Sequence, residues 1–339
     1  MVNSQKFMST AAKAWRTAAK AQFYFVVRRV CSQRTRDALK RRLVTSRRRL
    51  STAYLMIYGR YTAGELIQEL KNRIPLDFDI LMVHSSYDHL LPMYRGTVTE
   101  LVDELLGFCG KNRTLAMPAF VLGGRLYDKK AYFSTRPFDV KRTPSEMGLV
   151  TEVFRRKPGV MRSLHPSHSI CAIGPLAQEL VATHHLVPTR TGKGTPFETM
   201  AQNRTAIVGL GVEYFRVLTQ THTAEDMLGD DFPIQFKKEP FPVVVVDQTR
   251  NKFLYNLTIP ETSKQMDTTL LRSLLSEKEL VEWKFHGTPL FATRAGVVTE
   301  RLVDAARKGI TVYGPGDLSK RSHFERSRSV SEGAEKQFR

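Results

Sequence analysis

A chain of 339 residues, 42% of them hydrophobic, has enough material to bury a sizeable core, as one large domain or two smaller ones. The net charge of +19 is concentrated in residues 1–60, which hold fifteen Lys or Arg and one acid, whereas 61–318 is nearly neutral, so no nucleic-acid partner is expected. Cys31, Cys109 and Cys171 are odd in number, widely spaced and form no CxxC pair, so no disulfide framework is implied and a reducing cytoplasm is expected.

Residues 1–60 are predicted to form a basic helical extension that has three interpretations. No acid precedes Asp37, and the segment is rich in Ala, Ser and Arg, as in organellar transit peptides. Alternatively, an amphipathic helix lies on an anionic membrane surface and inserts the apolar residues 23–27. The third interpretation is a solvated extension. Because the apolar run is far shorter than the roughly 18 residues that span a bilayer, no membrane span is expected.

Helices and strands alternate after residue 61. Thr62 with Glu65, and Thr97 with Glu100, form capping boxes that begin two helices. Periodicity and turn residues predict helices over 62–72, 97–107, 144–156, 175–183 and from 223, and strands over 80–83, 114–117, 169–173 and 206–212. This alternation is typical of α/β proteins. We therefore predict a single three-layer domain over 61–318, with a central mixed sheet flanked by helices.

The sequence changes in character after Pro233. Residues 243–246 and 253–258 are predicted to pair around a turn at 249–251 and to complete the central sheet. Helical segments near 263–283 and 299–308 precede a strand over 310–313. Residues 319–339 are rich in Ser, Arg and Glu, which predicts a disordered tail.

Polar side chains cluster between residues 162 and 225. His222 and Glu225 stand three residues apart at a predicted helix start, so they share one face. A carboxylate beside an imidazole fixes the tautomer and raises its basicity, as a general base requires. The structural alternative is a helix cap formed by Thr221 or Thr223, with solvated charges.

Other candidates are less specific. His84 ends a strand, His165 lies in the run RSLHP, and His184 ends a helix whose dipole favours a cation there, so each has a structural interpretation too. Residues 192–195 resemble a phosphate loop only loosely, because no strand precedes them. His165, His184, His222 and Glu225 offer enough donors for a zinc hydrolase, but no HExxH or HxH spacing is present.

Taken in chain order, these motifs resemble those of the aminoglycoside 3-N-acetyltransferase family, which is distinct from the GNAT acetyltransferases. The matching segments are VHSS at 83–86, TLAMPAF at 114–120, TPSEMG at 143–148, RSLHP from 162 through Ser169, GTPF at 194–197 after His184, and GLGV at 209–212 followed by Thr219, His222 and Glu225. The resemblance covers roughly residues 62–315.

The resemblance implies acetyl-CoA-dependent N-acetylation of an aminoglycoside or amino sugar, without a metal. His222, oriented by Glu225, would take the proton from the acceptor amine, and His165 and His184 are further catalytic candidates. Coenzyme-binding candidates, some of which would also stabilise the thioester oxyanion, are His84, Ser85, Ser86, Ser163, Ser169, Gly194, Thr195 and Phe197. Acceptor-binding candidates are Glu213, Thr219 and Asp226, within an acidic neighbourhood that includes Glu225, Asp230 and Asp231.

Three departures from the family pattern shape the expected substrate. Loop 213–218 lacks the Asp or Asn expected before Thr219, Thr195 replaces a Ser, and residues 1–60 lie outside the family core. These features resemble relatives found with surface-polysaccharide genes. Because Phe215, Val217 and Leu218 offer apolar contact and no new carboxylate, we expect a mono-amino sugar, nucleotide- or lipid-linked, to be preferred over a polycationic drug.

We therefore expect a cytoplasmic enzyme, peripheral to the membrane through residues 1–60. The alternatives are the zinc-dependent hydrolase and a non-enzymatic protein that binds a membrane surface or nucleic acid through the basic extension.

Overall fold

The computed structural model describes residues 51–124 and 127–316. The helices are α1 Ser51–Tyr58, α2 Ala63–Arg73, α3 Tyr87–Leu90, α4 Val98–Cys109, α5 Lys129–Ser134, α6 Leu149–Phe154, α7 Ala177–Ala182, α8 Pro196–Gln202, α9 Tyr214–Val217, α10 Thr223–Leu228, α11 Leu271–Leu274 and α12 Ala295–Arg307. The strands are β1 Ile80–Ser85, β2 Thr114–Pro118, β3 Phe138–Asp139, β4 Met161–Arg162, β5 Ile170–Ile173, β6 Thr205–Leu210, β7 Lys237–Val246, β8 Lys252–Glu261, β9 Leu280–Phe285, β10 Thr288–Arg294, β11 Ile310–Thr311 and β12 Gly314–Pro315.

The predictions for the two termini fall mostly outside this range. Of the basic extension only α1 and the residues up to 60 are described, and the predicted tail 319–339 lies beyond it. Over the described ranges, no helix combines the length and apolarity that a membrane span requires.

Seven strands form the central sheet, in the order β4-β5-β2-β1-β6-β10-β9. β1 pairs in parallel with β2 on one side and β6 on the other. The flanking pairs β2–β5, β4–β5, β6–β10 and β9–β10 are antiparallel. The sheet is therefore mixed, as predicted, and polar residues lie at the carboxyl end of β1, its middle strand.

Helices cover both faces of this sheet. Alternate residues of β1 point to opposite faces, so Ile80 and Met82 join one apolar core with α7, α8 and α12. Leu81 and Val83 join a second core with α2, α4 and α6. The three-layer α/β architecture is thus confirmed. Both predicted capping boxes form, at Thr62 with Glu65 and at Thr97 with Glu100.

The prediction that the 243–258 strand pair completes the central sheet is wrong. β7 and β8 pair around the predicted turn, but with β3 they form a separate three-stranded sheet. This sheet has its own apolar core, which includes Val243, Val245 and Tyr255. β10 and β9 occupy the place beside β6 instead. β9 begins inside the stretch near 263–283 that was predicted to be helical, so that prediction is wrong over its last residues, where Val281, Trp283 and Phe285 alternate with charged residues as in a strand.

The helix predicted over 144–156 begins later, at Leu149. Gly148 precedes it with φ of +102°, a conformation that favours glycine. The capping side chains have other partners: the Thr143 hydroxyl oxygen accepts from the Asp139 amide at 2.8 Å, and the Glu146 carboxylate accepts from the Leu122 amide. Both groups that the predicted cap would use are therefore engaged elsewhere, Thr143 in the preceding turn and Glu146 in a contact with a residue 24 positions away.

Candidate active site

The carboxyl ends of β1, β2 and β6 meet at one edge of the central sheet, the usual place for a ligand site in α/β proteins. The Ser86 amide donates to the Leu210 carbonyl at 2.9 Å, and the Ala119 amide donates to the Ser169 carbonyl at 2.8 Å. The antiparallel β4 ends and β5 begins at this same edge. Loops 84–86, 163–169 and 211–222 are thereby brought together.

His222 and Glu225 form the hydrogen-bonded pair that their spacing predicts. A 3-10 turn, Thr219–His222, leads directly into α10, and His222 Nδ1 lies 2.8 Å from Glu225 Oε1. A carboxylate only accepts, so Nδ1 carries the proton and Nε2 of the neutral ring keeps its lone pair. Nε2 makes no hydrogen bond with any residue that the structure describes, and the ring is 20% exposed.

Glu225 is 4% exposed and has two further partners that the sequence did not predict. Arg190 donates through Nη2 to Oε2, and the Tyr313 hydroxyl donates to Oε1 at 2.6 Å. Burial raises the pKa of this carboxyl, but the contacts with His222, Arg190 and Tyr313 outweigh burial and lower it below its ordinary value. Glu225 therefore remains an anion, aligned on the imidazole.

Arg190 links the loop that carries it to the start of α10. Its Nη2 lies 3.3 Å from His222 Nδ1, and its Nε lies 3.8 Å from Asp226 Oδ2. Asp226 Oδ2 also accepts from the Thr191 amide at 2.9 Å and the Thr191 hydroxyl at 2.7 Å. At Gly192, an added Cβ would lie 2.8 Å from the Asp226 carbonyl oxygen, so only glycine fits this approach. Asp226 thus fixes the neighbouring loop.

His184 is buried, and both of its ring nitrogens have protein partners. Nε2 donates to the Arg190 carbonyl at 3.0 Å, so Nδ1 accepts from the Ser163 hydroxyl at 2.9 Å. The Ser163 oxygen in turn accepts from the Ile170 amide. Burial lowers the pKa of His184 to about 3. This neutral ring connects the start of β5 to the loop that carries Arg190.

His165 and His168 lie in the same interior cluster. Two backbone amides, of Ser167 and His168, donate to His165 Nδ1 at 3.3 and 3.0 Å, so its proton sits on Nε2. That nitrogen is buried and has no hydrogen-bond partner in the described part of the chain. The rings of His165 and His184 pack at 4.6 Å between centroids. Burial holds the pKa of both His165 and His168 well below the ordinary value.

Arg162 and Ser169 form hydrogen bonds that join the strand ends at this edge of the sheet. The buried Arg162 guanidinium donates to Ser169 Oγ at 3.0 Å, to the Ala119 carbonyl at 2.6 Å and to the Thr143 carbonyl, and it covers the Phe138 ring. Ser169 Oγ donates to the same Ala119 carbonyl at 2.8 Å. Desolvation lowers the pKa of Arg162 to about 10. These bonds fix the ends of β2, β4 and β5 relative to one another.

The predicted coenzyme-binding residues fall into two groups. His84 is 5% exposed, burial lowers its pKa to about 4, and neither it nor the Ser85 and Ser86 hydroxyls bonds to another described side chain. In contrast, the Gly194 amide donates to Glu198 at 2.7 Å and the Thr195 hydroxyl to the Gly192 carbonyl at 2.6 Å. Phe197 is buried in the core. Among the predicted coenzyme-binding residues, all of which are described, only Ser85 and Ser86 present hydroxyls without a hydrogen bond to another described residue.

The predicted acceptor-binding loop is more internal than expected. Glu213 lies 3.6 Å from Arg216, and the Thr219 hydroxyl donates to the Val217 carbonyl at 3.3 Å. Phe215 and Leu218 are 7% and 3% exposed and belong to the core. The interpretation that they offer an apolar surface to a sugar is therefore wrong for Phe215 and Leu218, because α9 and the residue that ends it turn these side chains inward.

The described residues contain no group of three or more His, Cys, Asp or Glu side chains placed to hold a metal ion. His184 uses both ring nitrogens internally, and His222 directs Nδ1 to Glu225. The donor set named for a zinc hydrolase is therefore not assembled.

A family model described as aminoglycoside 3-N-acetyltransferase matches residues 82–307. The chain is 33% identical over 157 residues to aminoglycoside N(3)-acetyltransferase III of Acinetobacter baumannii, covering 43% of the chain and 54% of that protein. It is 26% identical over 201 residues to aminoglycoside N(3)-acetyltransferase IX of Micromonospora chalcea, covering 56% and 70%. The chain spans about half the length of the first of these relatives.

Solved structures share the fold. Aminoglycoside acetyltransferase AAC(3)-Xa superposes with a TM-score of 0.62 at 19% identity, over 76% of this chain and 97% of that one. AAC-IIIb, solved as a binary complex with CoASH, gives 0.60 at 20% identity, over 75% and 99%. At these identities the likeness establishes the fold alone.

Proposed function

The chain belongs to the aminoglycoside 3-N-acetyltransferase family, and from this premise we propose that it transfers the acetyl group of acetyl-CoA to an amino group of an amino sugar or aminoglycoside. One observation carries the proposal: the His222–Glu225 pair lies at the ligand edge of the sheet, and Nε2 of His222 makes no hydrogen bond with the residues that the structure describes. Structures of the same fold have been solved with CoASH and, for AAC(3)-IVa, with a gentamicin, which supports both substrate classes.

His222 acts as the general base. An ammonium has no lone pair, so Nε2 first takes a proton from the acceptor nitrogen, directly or through one water. The nitrogen then attacks the thioester carbonyl, forming the C–N bond, and the C–S bond breaks as the tetrahedral intermediate collapses. The proton passes from His222 to the departing sulfur, and the second proton that the nitrogen loses on becoming an amide passes to solvent. Glu225 stabilises the imidazolium in between, and Arg190 and Tyr313 keep Glu225 in position.

The 84–86 loop is the proposed site for the thioester end of the coenzyme. Its hydroxyls are uncommitted, whereas those of Ser163 and Ser169 already donate inside the fold. Preorganised donors at a developing oxyanion are worth about 10²–10³ in rate. We assign a structural role around this coenzyme site to Ser163, Ser169, Gly194, Thr195 and Phe197. The buried His84 lies beneath the site.

His165 and His184 are proposed as positioning residues rather than as groups that touch substrate. His184 holds the carbonyl of Arg190, and His165 packs against His184 while its Nδ1 accepts from the 167–168 backbone. Glu213, Thr219 and Asp226 shape the acceptor side of the site in the same indirect way.

A substrate panel tests the proposal. The purified protein is incubated with acetyl-CoA and either mono-amino sugars, nucleotide-linked amino sugars or aminoglycosides, and free thiol is followed by its reaction with a disulfide reagent. We expect amine-dependent thiol release with one-to-one formation of an N-acetyl product. Thiol release at the same rate without any amine, or no acetylated product from the whole panel, would contradict the proposal.

The same panel tests the acceptor preference. Three carboxylates near the site already pair with arginines: Glu213 with Arg216, and Glu225 and Asp226 with Arg190. Few carboxylates therefore remain to bind a polycationic substrate. We expect mono-amino sugars to exceed aminoglycosides in kcat/KM by about tenfold or more, the scale of discrimination available from one or two contacts. Rapid acetylation of gentamicin-like drugs, with no turnover of simple amino sugars, is the opposing result.

A further inference from the structure

His168 has a ring nitrogen that the fold does not use, and its position follows from strand pairing. The antiparallel pairing of β2 with β5 continues beyond the two strands, because the Val121 amide donates to the Ser167 carbonyl at 3.1 Å. This register sets His168 opposite Phe120, with their ring centroids 4.8 Å apart. Opposed residues of an antiparallel pair share one face. His168 therefore lies beyond the carboxyl end of β2, on the sheet face that Phe120 shares with α7, α8 and α12.

The 3-10 turn that ends at His222 packs on this same face. Within it, the Gln220 side-chain amide donates to the Phe197 carbonyl at 3.2 Å. The rings of Phe197 and Phe120 are 6.5 Å apart. His222 and His168 both remain partly open to solvent, with 20% of the His222 side chain and 8% of His168 exposed. Two phenylalanines therefore separate the turn of the proposed base from His168.

A second set of contacts joins His168 to the proposed base from the other side. The ring centroids of His168 and His165 are 5.8 Å apart, and those of His165 and His184 are 4.6 Å apart. His184 Nε2 donates to the Arg190 carbonyl at 3.0 Å, and Arg190 Nη2 lies 3.3 Å from His222 Nδ1. His168 and His222 thus border the same region at the carboxyl edge of the central sheet.

Ser167 fixes the tautomer of His168. Ser167 Oγ lies 2.8 Å from His168 Nδ1 and has no other hydrogen-bond partner in the described ranges, and the residue is 1% exposed. A buried hydroxyl that donates to nothing costs free energy, so the hydroxyl donates to Nδ1. The ring proton then sits on Nε2. Burial holds the pKa of His168 well below its ordinary value, so the ring is neutral.

The Nε2–H group of His168 donates to no residue that the structure describes. Nε2 of His165 is fully enclosed, whereas Nε2 of His168 is not, so a ligand can reach it. A neutral N–H group has no lone pair to accept a hydrogen bond from an ammonium. It is suited to an uncharged acceptor such as a hydroxyl or carbonyl oxygen.

We infer that His168 donates a hydrogen bond from Nε2 to an uncharged oxygen of a bound substrate, and that Ser167 holds the ring in the tautomer that does so. This inference rests on the proposed acetyl transfer, and it adds a specificity residue to that site. Two sources offer such an oxygen: a hydroxyl of the amino sugar, and an amide carbonyl of the pantetheine arm of acetyl-CoA.

His168→Phe is the test variant, and His185→Phe is its matched control. Each substitution keeps an aromatic ring and removes the ring nitrogens, and the His185 ring also packs on a phenylalanine, Phe253, at 5.6 Å between centroids. Kinetic constants are measured with acetyl-CoA and with glucosamine and its 3-, 4- and 6-deoxy analogues. His168→Gln, which places an amide N–H near the position of Nε2–H, should restore most of the activity that His168→Phe loses.

The deoxy analogues distinguish the two sources of the oxygen. If it is a sugar hydroxyl, His168→Phe lowers kcat/KM for glucosamine about three- to tenfold, the scale of one neutral hydrogen bond. One deoxy analogue then loses that factor with the wild type and nothing further with the variant, because both changes remove the same bond. If the oxygen belongs to the coenzyme, KM for acetyl-CoA rises by a similar factor with every acceptor.

Equal kinetics of His168→Phe and His185→Phe with every ligand would overturn the inference. Binding separates this outcome from failure of the proposed acetyl transfer. Calorimetric titration of CoA and saturation-transfer NMR with glucosamine should show weaker binding of one ligand to His168→Phe than to His185→Phe, even if no amine is acetylated. If His168→Phe does not fold, His168→Gln is compared with the shorter His168→Asn, which should bind more weakly. Unchanged binding of both ligands in either comparison refutes the hydrogen bond.

Discussion

Tyr313 contributes to the candidate site from a distance of 88 residues along the chain, through one hydrogen bond of 2.6 Å to Glu225. Tyr313→Phe removes that donor while keeping the ring, so Glu225 loses part of what aligns it with His222. We expect kcat/KM to fall about tenfold, the scale of one hydrogen bond to a charged group. Tyr94→Phe is the control, because it removes a hydroxyl that donates elsewhere, to the Thr97 carbonyl at 2.9 Å. Equal activity of the two variants would contradict the role of Tyr313.

Only the local part of the site could be predicted from the sequence. His222 and Glu225 are three residues apart, and helical geometry alone brings them together. Arg190 and Tyr313 reach Glu225 across 35 and 88 residues, and neither lies in a motif with a recognised chemical role. The sequence also could not show that both ring nitrogens of His184 are hydrogen-bonded. Their partners, Ser163 and the Arg190 carbonyl, reach the ring only through the tertiary fold.

At the scale of single elements, α4 depends on its capping box. The Thr97 oxygen accepts from the Glu100 amide at 3.1 Å, and Glu100 accepts from the Thr97 amide at 2.6 Å. Thr97→Ala should cost about 0.5–2 kcal/mol of unfolding free energy, because an amide at the helix start loses its partner. Thr99→Ala, at an exposed position inside α4, should be neutral or slightly stabilising. Urea unfolding of both variants checks this, and equal midpoints would refute the capping contribution.

The elements that sequence predicted well are those whose signals are local. Both capping boxes and the buried strands β1 and β2 required only neighbouring residues to be recognised. The β7–β8 pair was recognised too, but not its sheet, because pairing of β7 with β3 joins segments that are far apart in the sequence. The start of the helix at Leu149 was not predicted, because Glu146 accepts a hydrogen bond from the Leu122 amide and is not free to cap the helix. No local sequence pattern reveals that contact.

For the whole molecule, buried histidines link stability to pH. Burial lowers the pKa of His84 to about 4 and that of His184 to about 3, and holds those of His165 and His168 well below their ordinary value. Below about pH 6.5 the unfolded chain protonates these rings while the folded chain does not. The unfolded state then binds more protons, so stability falls as the pH decreases.

Urea unfolding at several pH values measures this linkage. Because the unfolded chain takes up the extra protons between about pH 6.5 and the lowered values, we expect the free energy of unfolding to be lower at about pH 5 than at about pH 7.5. The difference should shrink in His184→Gln if that variant folds. A free energy that stays constant between these pH values would show that the histidines are not held neutral by the fold.

The distribution of charge over the whole chain sets the expectation for the basic extension. Residues 1–60 hold fifteen of the 52 basic residues and one acid. We propose that this segment binds an anionic membrane surface, with about 1 kcal/mol contributed by each basic residue near the lipid. Co-sedimentation with phosphatidylserine vesicles should weaken at high salt and be lost when residues 1–50 are deleted, whereas acetyl transfer persists. Vesicle binding that survives the deletion would contradict this assignment.

The general-base role of His222 is the central claim, and the acetyl-transfer rate of His222→Ala tests it most directly. Thiol release from acetyl-CoA is measured for wild type and variant with the best acceptor of the panel, after thermal unfolding has shown that the variant is folded. We predict a loss of roughly 10²–10⁴-fold in kcat/KM, the usual contribution of a positioned acid–base group. A folded His222→Ala protein with wild-type turnover would show that another group removes the proton.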